Sequence, residues 1–188
     1  MSTRFALLFI SIFVFLTGCA TVTGKLSKTA EVDENSAYLA GWYYGEGYAY
    51  AFKIKNVDTD KESSLSFDTG PLFAEPKEGE FILYPVKPGK YQMIRWQRID
   101  KLVRTTHGKA ILPKLTLYKP FEVKVGQVHF LGKFKLWKEH KLVYKSYQEV
   151  LGITPEKVLL EDANQRKNQV YPNFVDLPTV CIFEDCID

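Results

Sequence analysis

The stretch Phe121–Trp137, "FEVKVGQVHFLGKFKLW", carries the two-residue alternation of a β-strand more clearly than any other part of the chain. Before its centre, apolar residues alternate with Glu122 and Lys124, and Gly126-Gln127 supplies the residue types of a turn. After the turn, one face is expected to collect four apolar residues across Gly132, namely Val128, Phe130, Phe134 and Leu136. The stretch therefore predicts a β-hairpin.

The histidines do not form a recognisable site. His129 falls on the face with Lys133 and Lys135, where we expect solvent, while His107 falls in a loop and His140 near a hairpin turn. A zinc site needs several ligands at suitable spacing, and the sequence shows no such group. It also lacks a G-x-S-x-G elbow, an H-E-x-x-H motif and a P-loop. We therefore predict no enzymatic activity, no metal and no cofactor.

Similar alternation recurs along the chain and sets the expected fold class. The segment "EFILYPVKPGKYQMIRW" predicts strand, turn and strand about Pro88-Gly89. Many short strands with frequent turn signals predict an antiparallel β-sandwich over residues 37–174. One C-terminal helix is expected, with Thr154 as N-cap, Pro155 at the first helical position and an end near Lys167.

The N-terminus has the features of an export signal. Arg4 precedes the apolar run Phe5–Leu16, "FALLFISIFVFL". That run is shorter than the roughly 20 residues of a membrane-spanning helix, but it suits the apolar region of a secretory signal. The small residues Thr17-Gly18 follow, and then Cys19. The segment Leu16–Cys19 resembles the lipobox of bacterial lipoproteins.

The lipobox resemblance implies a processing route and a location. Residues 1–18 would be removed by cleavage between Gly18 and Cys19. The Cys19 thiol would then carry a diacylglyceryl group, and the new amine of Cys19 would carry a fatty acyl chain such as palmitate. The resemblance therefore implies that the protein binds a membrane through these lipids. Residues 19–36 have no apolar period and are expected to form a flexible tether. Ala20, the residue after the cysteine, resembles the sorting signal that directs lipoproteins to the outer membrane of Gram-negative bacteria. The domain would then face the periplasm.

Charge and cysteine content bound the remaining roles. The formal net charge is +3, and loss of Arg4 with the signal leaves about +2, so nucleic-acid binding has no electrostatic support. Apart from Cys19, the chain has Cys181 and Cys186, within a predicted tail over residues 175–188. An exported pair this close favours a structural disulfide, with free thiols or a metal or redox site as alternatives.

Two surfaces are candidates for ligand contact. The cluster Gly41–Tyr50, "GWYYGEGYAY", offers a platform on which sugar rings could stack, built from Trp42, Tyr43, Tyr44, Tyr48 and Tyr50. The alternative is that every second ring packs inward. The basic run Arg95–Lys109, which includes Arg98, suits anionic lipid headgroups or an acidic polymer, or else forms a solvated hairpin. The candidate ligand surface is therefore Trp42, Tyr43, Tyr44 and Arg98.

Two segments carry a second resemblance. Tyr84–Trp96 and Phe121–Leu136 are similar to paired segments of small bacterial envelope lipoproteins that have an immunoglobulin- or transthyretin-like sandwich. The resemblance spans about Leu39–Phe174 and brings no catalytic residues. It implies a non-enzymatic structural or protein-interaction module, held at the membrane beside an envelope protein partner. The alternative is a module that binds glycan or peptidoglycan through Trp42–Tyr50.

Overall fold

The computed structural model describes residues 21–45, 49–68, 79–99, 119–143 and 146–187. Within these ranges the chain is mainly β and has one α-helix, α1 (Leu160–Val170), followed by a 3-10 turn (Pro172–Phe174). The strands are β1 (Thr21–Thr23), β2 (Ala37–Gly45), β3 (Ala49–Asn56), β4 (Glu62–Asp68), β5 (Glu80–Val86), β6 (Gly89–Ile99), β7 (Phe121–Val123), β8 (Val128–Val143), β9 (Ser146–Glu156), β10 (Val158–Leu159), β11 (Thr179–Cys181) and β12 (Cys186–Ile187). The predicted mainly β domain with one C-terminal helix is confirmed.

The described strands form two larger sheets and one small pair. The first sheet has the order β1-β4-β3-β6-β7. The second has the order β11-β8-β2-β5, and β9 pairs with β8 as well. Strands β10 and β12 pair separately. The prediction of an antiparallel arrangement is wrong in part, because β1 with β4, β2 with β8 and β11 with β8 are parallel pairs.

The predicted hairpin around Gly126 is a crossover between sheets. Strand β7 pairs with β6 of the first sheet, whereas β8 pairs with strands of the second sheet. Gly126 has a φ of 71°, so the turn chemistry was assigned correctly. The turn at Pro88-Gly89 likewise leads from β5 in the second sheet to β6 in the first. Turn residues specify that the chain reverses, but they do not specify which strand it then joins.

Two buried clusters lie on opposite faces of the second sheet. The inter-sheet cluster draws side chains from both large sheets, including Leu39, Tyr43, Phe52, Phe67, Tyr84, Met93, Phe134 and Leu136. The helix-side cluster lies between the second sheet and the C-terminal segment, and it includes Tyr38, Phe81, Leu83, Phe130, Ala163, Tyr171 and Phe174. Because both of its faces are covered, β2 is apolar nearly throughout rather than strictly alternating.

A β-bulge in β8 reverses the face of every residue after it. Ala40 pairs with Phe130 and Trp42 pairs with Lys133, so two residues of β8 lie opposite one residue of β2. Gly132 is one of these two residues, and its φ of 131° lies where side chains are strongly disfavoured. The extra residue restarts the alternation on the opposite face.

The bulge overturns two predictions about faces. Phe130 joins the helix-side cluster, whereas Leu131 and Phe134 join the inter-sheet cluster, so the four apolar residues expected on one face are divided between two. His129 is 3 % exposed and therefore does not share a solvated face with Lys133. A single unpaired residue, which leaves no periodic signal in the sequence, produces both differences.

The helix begins later than predicted. Thr154 and Pro155 belong to β9, where they pair with Lys135 and Phe134 of β8, and the helix starts at Leu160. The Trp137 indole N–H donates a hydrogen bond of 2.9 Å to the Thr154 hydroxyl. Tertiary pairing thus overrides a good capping signal, and proline is tolerated because it lies at an edge strand. Within the described ranges, no helix has the length and apolar composition needed to cross a membrane.

The segment predicted to be a flexible tether contacts the domain from Thr21 onward. Strand β1 pairs with β4 at the edge of the first sheet. The Leu26 amide then donates a hydrogen bond of 2.8 Å to the Leu83 carbonyl, and Lys25 forms an ion pair of 2.8 Å with Glu80. Leu26, Ala30 and Val32 pack against the helix-side cluster. Residues 24–36 therefore cover the domain instead of spacing it from an anchor.

The C-terminal tail is held at several points. Cys181 and Cys186 lie at disulfide distance, with Cα atoms 5.7 Å apart, as predicted for a structural pair. Phe183, inside the loop that they close, is buried in the inter-sheet cluster. The Lys167 ammonium, which is 1 % exposed, donates a hydrogen bond to the Leu177 carbonyl. Burial lowers the pKa of Lys167, although Asp176 opposes this effect.

Candidate ligand-binding cleft

Three side chains from adjacent strands form a row across the second sheet. Trp42 of β2 lies opposite Lys133 of β8, and Lys133 lies opposite Glu156 of β9. Without the bulge at Gly132, the regular alternation would turn the position after it toward the inter-sheet core. The bulge therefore places Lys133 beside Trp42.

Aromatic rings hold the Lys133 ammonium in position. Its nitrogen lies 4.5 Å from the centroid of the Trp42 ring and 5.3 Å from that of Tyr44, both within the range of cation–π attraction. The same nitrogen lies 4.0 Å from a Glu156 carboxylate oxygen. Burial raises the pKa of the Tyr44 phenol, and the Glu156 carboxylate raises it further. Tyr44 is therefore neutral at physiological pH.

Helix α1 supplies the opposite wall of this site. Its residues at intervals of three or four positions face the same side and include Asp162, Gln165, Arg166 and Gln169. The Arg166 guanidinium donates a hydrogen bond of 3.2 Å to the Gly79 carbonyl and another of 3.4 Å to the Gln169 side chain. Its central carbon lies 5.9 Å from the Trp42 ring centroid. Trp42 therefore lies near two cations, one from the sheet and one from the helix.

Gly79 allows this close approach. A Cβ at Gly79 would lie 2.7 Å from the Tyr44 Cβ and 3.0 Å from the Trp42 indole nitrogen, and its φ is 73°. Only a residue without a side chain can place its carbonyl here beside the two rings and still accept the bond from Arg166. The Gly79 carbonyl thus holds Arg166, which is one of the residues that line the cleft.

Trp42, Tyr44, Lys133 and the α1 residues line an open cleft of about 560 Å³. Its remaining lining is Lys157, Val158, Leu159 and Ile187, from the segment before the helix and from β12. The volume is within the range of small-molecule sites, and the lining combines an aromatic and aliphatic wall with amides and charges. The arrangement can bind a small ligand with both apolar and polar surfaces.

Tyr43 does not join the predicted aromatic platform, because it points to the other face of β2, in agreement with the alternative that every second ring packs inward. Its side chain is fully buried in the inter-sheet cluster and stacks on Phe67, with centroids 3.9 Å apart, and on Phe134 at 5.7 Å. Of the candidate ligand surface, Trp42 and Tyr44 meet in the cleft. The side chains of Tyr48 and Tyr50 lie outside the described residues.

The other predicted site residues are not part of the cleft. Arg98 lies in β6 of the first sheet, where its backbone pairs with Tyr50, and its side chain is outside the described residues. Most of the basic run, including His107, is also outside them. Gly18 and Cys19, the cleavage and lipid-attachment residues, likewise precede the first described residue.

His129 has a structural environment. Its Nε2 atom accepts a hydrogen bond of 3.3 Å from the Lys124 amide, in the crossover that joins the two sheets. Burial lowers the pKa of His129, so the ring is neutral at physiological pH. Among the described residues, no three histidine, cysteine or acidic side chains are grouped in a way that could hold a metal ion.

The cations of the cleft were not recognised from the sequence. Lys133 was assigned to a solvated face, and Lys157 and Arg166 were not singled out. The helix spacing of Asp162, Gln165, Arg166 and Gln169 was a usable signal for one polar face. The surface that this polar helix face lies against depends on the start of the helix at Leu160 and on the bulge at Gly132. No sequence pattern marks either feature.

Comparison with known proteins does not assign a family. No family model and no curated protein matches the chain. Among solved structures, it is similar to part of a leucine-rich repeat protein from Bacteroides thetaiotaomicron, at 10 % identity and a TM-score of 0.35. The match covers 61 % of this chain and 15 % of that one, so the chain spans a small part of that protein's length.

Proposed function

We propose that this chain is a non-enzymatic binding module of the bacterial cell envelope, anchored through lipid on Cys19. The observation that carries the binding role is the cleft itself. Trp42, Tyr44 and the α1 face enclose a volume suited to a small ligand, and Lys133 and Arg166 are held in place by contacts within the wall. Groups fixed before binding lose little entropy when a ligand arrives.

The lipid anchor is supported by the sequence. The apolar run, the small residues and Cys19 stand in the order that a lipobox requires. Ala20, which follows the cysteine, resembles the outer-membrane sorting signal and supports an anchor in the outer membrane, facing the periplasm, in a Gram-negative cell. The immunoglobulin- or transthyretin-like type also belongs to this proposal, supported by two sheets that share one core.

Photo-crosslinking in intact cells tests the binding role. A probe at Gln165 lies at the cleft, whereas a probe at the exposed Val125 lies at the crossover between the sheets and serves as the matched control. We expect a discrete adduct from position 165 that position 125 does not give. Equal adduct patterns from both positions would refute the cleft as the binding surface.

The anchor has a separate test. Cys19→Ser should abolish the added acyl mass and release the protein from the membrane fraction. A variant that still sediments with membranes and carries no lipid mass would exclude the proposed anchor.

A second candidate surface is the ribbon formed by β8 and β9. Strand β2 ends at Gly45 opposite Leu136, whereas β8 and β9 continue to pair as far as Val143 and Ser146. In this distal part, β9 is the strand that the described residues pair with β8. Open strand edges can accept a strand from another protein, which favours an envelope protein as the partner of this surface. A crosslinking probe at Gln148 tests it.

A further inference from the structure

We propose that the cleft binds a saccharide carrying one anionic group, either a carboxylate or a phosphate. This inference rests on the proposed function, because it names the ligand class of the same cleft. It is argued from the charge balance of the lining, from the way its cations are held, and from the apolar and amide groups beside them.

The charge balance of the cleft leaves one positive charge. The lining has three cations, Lys133, Lys157 and Arg166, and the carboxylate of Asp162. Glu156 does not line the cleft, but its carboxylate lies 4.0 Å from the Lys133 ammonium and offsets a second positive charge. Three cations against two carboxylates complement a ligand with one negative group. A neutral ligand would gain no attraction from this excess positive charge.

Two of the cations are held in place by the protein. Trp42 and Tyr44 attract the Lys133 ammonium, and Glu156 lies across the strand from it. Arg166 is held by the Gly79 carbonyl. Because these contacts fix both side chains, an incoming anion meets positioned charge without first having to order two long flexible chains.

The rest of the lining suits a sugar. A pyranose ring has an apolar C–H face and a rim of hydroxyl groups. Trp42 with Val158, Leu159 and Ile187 provides apolar area, and the side-chain amides of Gln165 and Gln169 can both donate to and accept from hydroxyl groups. A volume of about 560 Å³ accommodates one or two sugar rings.

Calorimetry with matched probes tests the ligand class on the full chain as purified from its host. The probes are the N-acetylglucosaminyl–N-acetylmuramic acid disaccharide, which has a carboxylate, N-acetylglucosamine 1-phosphate, and neutral di-N-acetylchitobiose. We expect one of the anionic sugars to bind at least tenfold more tightly than chitobiose, and the one that does so identifies the anionic group. Raising the salt concentration should weaken that binding, because mobile ions screen partly exposed charges.

A pair of lysines on one strand gives the matched variants. Lys133 and Lys135 lie two residues apart on β8, but only Lys133 lines the cleft, and Lys135 is exposed. Lys133→Gln should weaken binding of the anionic sugar about tenfold, as expected for loss of one charge-assisted contact. Lys135→Gln makes the same change in net charge and should leave the affinity unchanged. Lys157→Gln, at an exposed position, gives a second test without risk to the fold.

The outcomes separate this inference from the proposed function. Equal binding of chitobiose and the anionic sugars, or equal loss of affinity in Lys133→Gln and in the control Lys135→Gln, would show that the ligand needs no anionic group. If inorganic phosphate alone competes as strongly as the anionic sugar, the inference that the ligand is a saccharide is wrong. Absence of binding to every probe, with the crosslink from Gln165 intact, would overturn this ligand class and leave the binding module standing. If position 165 gives no adduct beyond those of the control position 125, the proposed function itself is refuted.

Discussion

Substituting alanine for Gly132 should destabilise the protein more than the same change at the turn residue Gly126. The residue sits in the β8 bulge with a φ of 131°, outside the left-handed region that asparagine and aspartate sometimes adopt. A Cβ there would also lie 3.4 Å from the Cζ atom of the buried Phe134 ring, which packs in the inter-sheet cluster. That distance is an ordinary van der Waals contact, so backbone strain rather than crowding is the expected cause of the loss of stability.

The expected magnitude follows from comparison with Gly126. At Gly126 the φ is 71° and a Cβ would meet nothing within 4 Å, so Gly126→Ala should cost about 1 kcal/mol for the left-handed conformation alone. Strained conformations outside that region, such as the φ of 131° at Gly132, cost about 1–3 kcal/mol. We expect Gly132→Ala to lower the free energy of unfolding by about 2–3 kcal/mol.

Urea unfolding, followed by tryptophan fluorescence, measures both variants under the same conditions. Each kcal/mol should also lower the melting temperature by roughly 2–4 °C for a chain of this size. Because the bulge sets the face of Lys133, Gly132→Ala should also perturb the Trp42 indole signal in an NMR spectrum, whereas Gly126→Ala should not. Equal losses of stability in the two variants would show that Gly132 does not carry the strain attributed to it.

Three further predictions concern the core and the tail. Replacing Cys181 and Cys186 together by serine should lower the free energy of unfolding by about 2 kcal/mol, measured in urea, because the short loop is no longer closed in the unfolded chain; unchanged stability would exclude a structural bond. Burial lowers the pKa of His129 below its ordinary value of 6.5, so the unfolded chain binds a proton that the native protein does not. The protein should therefore lose stability as the pH falls through and below about 6.5, with no contribution from this residue above that pH, and His129→Gln should remove that part of the pH dependence; parallel pH profiles for the two proteins would refute it. The Tyr84 hydroxyl donates a hydrogen bond of 2.9 Å to the Ser66 carbonyl between the two sheets, so Tyr84→Phe should cost about 1 kcal/mol, and a thermal melt identical to that of the wild type would contradict this role.

Local patterns in the sequence predicted elements better than they predicted partners. Alternation located the strands, and glycine located the turn at Gly126, because both depend on residues that are neighbours in the chain. Pairing depends on long-range packing. Turn residues therefore identify the reversal at Gly126 but not the two sheets that its strands join. The capping signal at Thr154 predicts a helix start, although Thr154 pairs with Lys135.

The candidate site was predicted only in part for the same reason. The sequence predicts Trp42, Tyr43 and Tyr44 together as a ligand surface, and only the alternative, in which every second ring packs inward, separates Tyr43 from the other two. Lys133 could not have been placed, because its face depends on one unpaired residue at Gly132. Arg166 belongs to a helix whose position over β2 follows from the tertiary fold.

Strand β1 shortens the free chain between the proposed lipid anchor at Cys19 and the folded domain. Cys19 precedes Thr21 by two residues, which span at most about 7 Å of chain, and Thr21 already pairs with the edge of the first sheet. A coil of about fifteen residues would have let the domain range over roughly 20 Å. A lipidated Cys19 would instead act as a short pivot, so the domain would tilt and turn in place while drifting within the plane of the membrane. Its encounters would then be two-dimensional, restricted to molecules that themselves come to the bilayer surface.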